Sequence, residues 1–185
     1  MRFDHQVQPC ELKRGKREVL DAAGRPAIRK LGDGTLRFST SPALGGRAAI
    51  VEIVPRPEGH AEVRTFAFEG HPHFGWTRTG SAGFRLSAEE QRRLLSAFDA
   101  ALPPYRRSPG DIDGPVMIVC TDGPGYLTER VRGRAVETLD GSCPLDDDAP
   151  HPNAILACRL DEILRRHLGE AERPDLSTEN RCDGL

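Results

Sequence analysis

Residues 120–153 read CTDGPGYLTERVRGRAVETLDGSCPLDDDAPHPN, and the rest of the chain is interpreted outward from this stretch. The quoted stretch begins at the end of an apolar run, residues 115–121, and this run predicts a central strand. The turn at residues 122–125 leads into an alternating strand over residues 126–132, and Gly133-Arg134 predicts a tight hairpin into a strand over residues 135–139. This register places Cys120 opposite Leu127 and Leu127 opposite Asp140.

Two helices have clear start signals. Ser87 and Glu90 have the spacing of a capping box, in which each side chain bonds the backbone N–H of the other residue, and the helix after them ends before Pro103. Pro152 suits the first turn of a second helix over residues 152–168, and Gly169 suits its end. The core residues expected from these patterns are Leu94, Leu95, Phe98, Val116, Ile118, Leu127, Val131, Leu156, Leu160 and Ile163.

The order of these elements predicts the fold class. Residues 61–102 and residues 115–168 each show three short strands followed by a helix, which favours an α+β protein. We expect one antiparallel sheet made of two such halves, with both helices packed on one face. Residues 1–46 are expected to be an N-terminal arm with short β-hairpins, one of them over residues 18–30. Residues 47–169 form a single domain in this interpretation, and residues 170–185 form a mobile acidic tail.

The Tyr126-Leu127-Thr128-Glu129 strand supports one resemblance. Residues 61–168 resemble, by the order of their elements, small bacterial peptidase-inhibitor proteins of the emfourin type. In those proteins strands lead to a helix, a strand like Tyr126–Glu129 follows, and a second helix ends the fold. The resemblance implies an inhibitor-like protein and transfers no site residues.

Composition narrows the function classes. A chain of 185 residues with 37% hydrophobic residues suits one ordinary domain, and a net charge of −2 gives no reason to expect nucleic acid. No apolar run approaches the ~20 residues that a membrane helix needs, and no signal-peptide core follows Met1. The prediction is therefore a cytoplasmic protein with no membrane contact, whose five cysteines are mostly free thiols.

The candidate ligand surface gathers around one end of the predicted sheet. A glycine-rich turn after a central strand lets a ligand approach the backbone, and a helix start offers free N–H groups to an anion. Ordinary turn and cap chemistry explains the same residues, and Cys120 and Cys143 are either packed thiols or a disulfide. The candidate residues are Cys120, Asp122, Gly123, Gly125, Tyr126, Glu129, Cys143, His151 and Asn153.

A second motif has metal-like spacing. Glu69, His71 and His73 would share one face of an extended strand, and two histidines with a carboxylate can bind iron or zinc. Gly70 and Pro72 favour a bend instead, which would break that alternation, so no metal is predicted.

No cofactor motif and no arrangement of base and nucleophile stands out. The sequence therefore favours a non-catalytic domain that binds a protein partner, and a peptidase inhibitor is one form of this. The alternatives are a metal- or thiol-dependent enzyme, or a redox sensor, centred on Cys120, Cys143 and His151 or on Glu69, His71 and His73.

Overall fold

The computed structural model describes residues 19–42, 45–71, 73–101, 124–142, 152–176 and Cys182. Within these residues six strands and two α-helices form the fold, together with short 3-10 helices at Ile28–Leu31 and Glu170–Glu172. The strands are β1 (Leu36–Pro42), β2 (Gly46–Pro55), β3 (His60–His71), β4 (Gly75–Ser87), β5 (Pro124–Arg132) and β6 (Ala135–Ser142). The helices are α1 (Ala88–Ala101) and α2 (Pro152–His167).

All six strands join one antiparallel sheet in the order β4-β3-β2-β1-β5-β6. The expected α+β class with an antiparallel sheet is therefore confirmed. The strand count expected for residues 61–102 is wrong, because β3 is followed by a single strand, β4, and not by two. Gly80 and Gly83 do not interrupt β4, since both keep their partners on β3.

Strand β5 has a neighbour on each side. Leu127 lies opposite Asp140 on β6, as the hairpin at Gly133-Arg134 predicted, and opposite Ser39 on β1. The expected pairing of Leu127 with Cys120 is wrong, because β1 and β6 take both of its edges. The strand predicted over residues 115–121 lies outside the described residues.

The region before β1 is helical where a hairpin was expected. Residues 19–22 form a helical turn, with the Ala23 N–H donating to the Val19 carbonyl at 3.0 Å, and Ile28–Leu31 forms a 3-10 helix. Val19, Leu20 and Ala23 all pack into one hydrophobic cluster, which a helical spacing allows and an alternating strand does not. Strand β1, placed by the sequence in an N-terminal arm, lies between β2 and β5.

The larger hydrophobic cluster, called cluster one, combines strand and helix residues. Its members include Leu36 and Phe38 of β1, Val51 and Ile53 of β2, Val63 of β3, Leu94 and Phe98 of α1, and Leu156, Leu160, Ile163 and Leu164 of α2. Leu95, expected in the core, is only partly buried and packs against this cluster. Val116 and Ile118 lie outside the described residues.

Helix α1 begins as the sequence predicted. The Glu90 N–H donates to Ser87 Oγ at 3.2 Å, and the Ser87 N–H donates to Glu90 Oε2 at 3.2 Å. Burial raises the pKa of Glu90, but the hydrogen bonds from Ser87 and the nearby His167 outweigh it, so the pKa of this carboxyl lies below its ordinary value. The capping box is thus confirmed as a charge-assisted cap.

The second cluster, called cluster two, contains the residues that alternate with those of cluster one. Ala48, Ile50, Phe66, Phe68 and Leu127 pack there against residues 19–23 and Trp76. Because neighbouring strand residues point to opposite faces, the two clusters lie on opposite faces of the sheet.

The chain after α2 is attached to the core. Leu176 is only 1% exposed and belongs to cluster one, and Cys182 forms a disulfide with Cys158 of α2 across a Cα–Cα distance of 5.5 Å. These two cysteines are exceptions to the expectation of free thiols. No helix in the described part of the chain is long and apolar enough to cross a bilayer.

Candidate functional site

The chain reversals nearest the predicted surface all lie at one end of the sheet. β1 ends there at Pro42, which pairs with Pro124 at the start of β5. β2 begins there opposite Gly70, and β6 ends there opposite Gly125. The β3–β4 turn, residues 71–75, completes this end, which we call the tip end of the sheet.

An aromatic side chain projects from the tip end. Phe74 is a large hydrophobic residue, yet it is 89% exposed. All other Phe, Tyr and Trp side chains in the described part of the chain are at least partly buried. Its N–H donates to the His71 carbonyl at 3.1 Å, and its ring centroid lies 5.0 Å from that of His71. The His71 ring also lies 5.3 Å from His73. The turn therefore presents three rings together.

Two glycines of the tip end are closely approached by neighbouring atoms. A Cβ at Gly70 would lie 2.2 Å from the Gly75 carbonyl oxygen, closer than any real contact. Gly45, in the neighbouring β1–β2 connection, has φ +83°, and a Cβ there would lie 2.6 Å from the His71 ring. Gly45 thus packs directly on His71, in the turn that also carries Phe74.

Trp76 continues this aromatic group into the protein. Its ring is partly buried against cluster two, and its indole N–H has no hydrogen-bond acceptor among the described residues. The signal for this region in the sequence was the His71-Pro72-His73 spacing. That spacing pointed to a metal and not to the exposed Phe74 beside it.

The metal-like residues do not assemble. Within the described ranges no three His, Cys, Asp or Glu side chains come together as a group that would hold an ion, and Glu69, His71 and His73 are all described. Instead, His71 Nδ1 accepts the backbone N–H of His73 at 3.1 Å. This bond uses one ring nitrogen of His71 to shape the turn.

Two predicted surface residues are part of the interior. Tyr126 is 2% exposed, and its ring stacks on Phe38 with centroids 5.8 Å apart. Asn153 is fully buried, accepts the Thr128 hydroxyl at 2.6 Å and donates to the Leu139 carbonyl at 3.3 Å. These bonds fasten the start of α2 to β5 and β6.

Gly125 and Glu129 also have structural positions. Gly125 pairs with Ser41 and Ser142 in the sheet, and the Glu129 carboxylate lies 3.3 Å from the guanidinium of Arg37. The remaining candidates, Cys120, Asp122, Gly123, Cys143 and His151, lie outside the described residues.

The sequence did not predict a buried ion network on the same face as cluster two. Glu52 is fully buried and accepts from Arg25 at 3.1 and 2.6 Å and from Arg37 at 2.9 Å. Arg37 also reaches Glu129 and donates to the Pro26 carbonyl at 2.7 Å. The sequence contained one sign of this network, because the apolar strands β1 and β2 contain the charged residues Arg37 and Glu52.

The network fastens the N-terminal segment to the sheet. Arg25 lies over the ring of Phe66, with its guanidinium carbon 4.7 Å from the centroid, while both of its bonds go to Glu52. Arg25, Arg37, Glu52 and Glu129 thus form a largely enclosed network in which each charge has a partner of opposite sign.

An open depression of about 920 Å³ lies at the end of the sheet opposite the tip end, beside Arg56, His60 and Arg85. Hydrogen bonds from Arg56 and Arg64 lower the pKa of Glu62, which also lines it. The single carboxylate of Glu62 thus binds two guanidinium groups, those of Arg56 and Arg64.

No protein-family model matches this chain, and a comparison with curated proteins finds no significant relative. The tip end is therefore interpreted from its geometry alone.

Proposed function

We propose that this is a non-catalytic protein-binding domain whose contact surface is the tip end of the sheet. The exposure of Phe74 is the observation that carries this proposal. Scattered exposed hydrophobic residues are ordinary, but this ring stands on a closely packed turn beside two further rings. Aromatic residues that are ordered before binding lose little conformational entropy in an interface, so they are common anchors.

The roles of the polar residues support a binding domain over an enzyme. Glu52 and Arg37 fasten the N-terminal segment, and Asn153 fastens α2, so these buried polar groups are already used by the fold. The tip end offers instead a closely packed projecting turn with apolar and imidazole surface. Such a turn suits insertion into a depression on another protein, and a peptidase inhibitor would be one form of this function.

Two features of the wider fold belong to the same proposal. We infer that α1 and α2 cover one face of the sheet, since Leu94 and Leu160 share cluster one with Phe38. We also infer that the protein works in an oxidising compartment, in place of the cytoplasm, because a disulfide between Cys158 and Cys182 persists more readily there.

Site-specific photo-crosslinking tests the contact surface. A benzophenone amino acid is placed at Phe74 in one protein and at Arg134, an exposed turn residue between β5 and β6, in a matched control. Extract of the native host is irradiated with each. We expect one partner to be cross-linked from position 74 and not from position 134.

Competition then tests the role of the Phe74 ring. Excess unlabelled wild-type protein should remove the cross-link, and excess Phe74→Ala protein should remove it at least tenfold less effectively, because the anchor is missing. The midpoint of thermal unfolding should be unchanged in Phe74→Ala, since the ring buries little surface in the free protein. Equal competition by both proteins would contradict the proposal.

A further inference from the structure

Strand β4 forms one end of the described sheet and is long for an edge strand. It spans 13 residues, Gly75–Ser87, and pairs along its whole length with β3. Among the described residues no strand pairs with its other edge. Most of its side chains are exposed or partly exposed, and only Leu86 is buried. Such an edge presents a row of backbone donors and acceptors.

Natural edge strands carry features that prevent pairing with another chain, and β4 has few of them. It contains no proline and no lysine, and its one irregularity is a register shift opposite Ala67 and Phe68. Its charges are of one sign, since Arg78 and Arg85 are present and no acidic residue is. Both arginines are exposed, and neither forms an ion pair with a described residue.

The register places the two arginines on the same face. Arg78 lies opposite Phe68 and Arg85 opposite Glu62, and these β3 residues are six positions apart. An even spacing keeps one face, and six residues of strand span about 20 Å. Glu62 does not neutralise Arg85, because Arg56 and Arg64 hold its carboxylate. The edge therefore carries two available positive charges at a fixed separation.

The charges argue against pairing between two copies of β4. An antiparallel pair centred between Ser81 and Ala82 would set Arg78 of each copy opposite Arg85 of the other. Like charges directly opposite each other destabilise a strand pair. An acidic segment meets the same edge without this penalty.

We propose that an extended acidic segment of the protein partner adds to β4 as a further antiparallel or parallel strand, an inference that rests on the proposed binding function. Its backbone bonds the outer edge of β4, and two acidic side chains six positions apart reach Arg78 and Arg85. One end of the added strand lies beside Gly75, next to Phe74 at the tip end. The strand edge gives affinity through the backbone, and the arginines select an acidic sequence.

The probe is a synthetic threonine-rich peptide with two glutamates six positions apart, labelled with a fluorophore. Its binding to the intact protein is followed by anisotropy, and a peptide with lysines in place of the glutamates is the matched control. We expect the glutamate peptide to bind, and the lysine peptide to bind at least about tenfold more weakly. In the R78A/R85A variant, affinity for the glutamate peptide should fall about tenfold, whereas Arg92→Ala, an exposed change on α1, should leave it unchanged.

Backbone methylation separates strand addition from simple charge attraction. A peptide strand that pairs through one edge uses alternate N–H groups, so methylating one alternate set should abolish binding and methylating the other should leave it nearly unchanged. Equal binding by the two methylated peptides would overturn the proposal, as would equal binding of the glutamate peptide by wild type and R78A/R85A. Absence of binding at millimolar peptide would also overturn it.

The outcomes distinguish this inference from the proposed function. If Phe74→Ala loses the ability to compete for the cross-linked partner while the peptide does not bind β4, the tip end is a binding surface and strand addition is wrong. If the Phe74→Ala protein competes as well as wild type, the proposed function itself fails.

Discussion

Replacing Glu52 with leucine is expected to destabilise the fold more than replacing either arginine that binds it. Glu52 is fully buried, and Arg37 is only 3% exposed. Without the Glu52 carboxylate, Arg37 keeps one carboxylate, Glu129 at 3.3 Å, and the Pro26 carbonyl. Removing one partner of a buried charge pair costs about 3–5 kcal/mol, because the remaining charge stays in a poorly solvated place.

The two arginines should have smaller effects, in a fixed order. In Arg37→Met, Glu52 keeps both hydrogen bonds from Arg25, at 3.1 and 2.6 Å, so we expect a cost of about 1–3 kcal/mol. In Arg25→Met, Glu52 keeps Arg37, and the lost guanidinium was 17% exposed, so the cost should be about 1 kcal/mol. The expected order of destabilisation is Glu52→Leu, then Arg37→Met, then Arg25→Met.

A double variant tests whether the pair acts as a unit. In R37M/E52L the buried arginine and glutamate are both replaced by apolar side chains, so no enclosed charge is left without its partner. We expect R37M/E52L to be more stable than E52L alone by about 1–3 kcal/mol. Arg25 and Glu129, which are partly exposed, can then turn toward water.

Urea unfolding at neutral pH, followed by circular dichroism, measures these free energies of unfolding with the disulfide intact. Glu58→Leu is the control, because Glu58 is an exposed turn residue, and its effect should stay within about 0.5 kcal/mol. A loss below about 1 kcal/mol in Glu52→Leu would refute the reasoning, as would a larger loss in Arg37→Met. Either result would mean that the network is more hydrated than its burial indicates.

Three further predictions concern stability. Cys182→Ser should lose about 3 kcal/mol in non-reducing urea unfolding, since the disulfide closes a chain separation of 24 residues, and dithiothreitol should destabilise wild type but not the variant. The pKa of Glu90 is lowered in the fold, so wild type should be more stable than Glu90→Gln at pH values above 4.5, the ordinary pKa of this carboxyl. This difference in the free energy of unfolding should disappear as the pH falls through the folded pKa. A difference that stays constant with pH would contradict this. Leu160→Ala should cost about 2–5 kcal/mol, and the partly buried Leu95 should cost less than half as much when replaced by alanine.

The features that the sequence predicted depend on residues close together in the chain. The capping box joins Ser87 and Glu90, and the hairpin at Gly133 sets Leu127 opposite Asp140. Each signal has its own local physical cause, a side-chain cap or a tight turn, and tertiary packing did not override it.

The order of the strands depends on distant pairings and was not predicted. β1 pairs with β5 through residues such as Ser39 and Leu127, which are far apart in the chain. Hydrophobic alternation tells which side of a strand is buried, and it does not tell which strand lies beside it. The same limit applies to the disulfide, since five cysteines allow many pairings and spacing alone does not choose Cys158 with Cys182.

The residues of the predicted surface are only partly those of the tip end. Gly125 lies at the tip end, but Tyr126 is in the core and Phe74 was not singled out. In the HPHFGW sequence around Phe74, glycine and proline break the alternation, so no period showed which way this ring points. The close contacts of Gly45 with His71 and of Gly70 with Gly75 are tertiary and carry no pattern in the sequence.

The packing on the two faces is the reason why we propose binding at an end and an edge of the sheet. Cluster one occupies one face, and residues 19–25, cluster two and the Glu52 network occupy the centre of the other. Among the described residues, Phe74 and the outer edge of β4 lie outside both of these covered faces, and they meet at Gly75. A strand laid along β4 therefore approaches the Phe74 ring at one end, so the two contacts should act together. Combining Phe74→Ala with Arg78→Ala should then weaken partner binding by less than the product of the single effects, because either change frees the same end of the added strand.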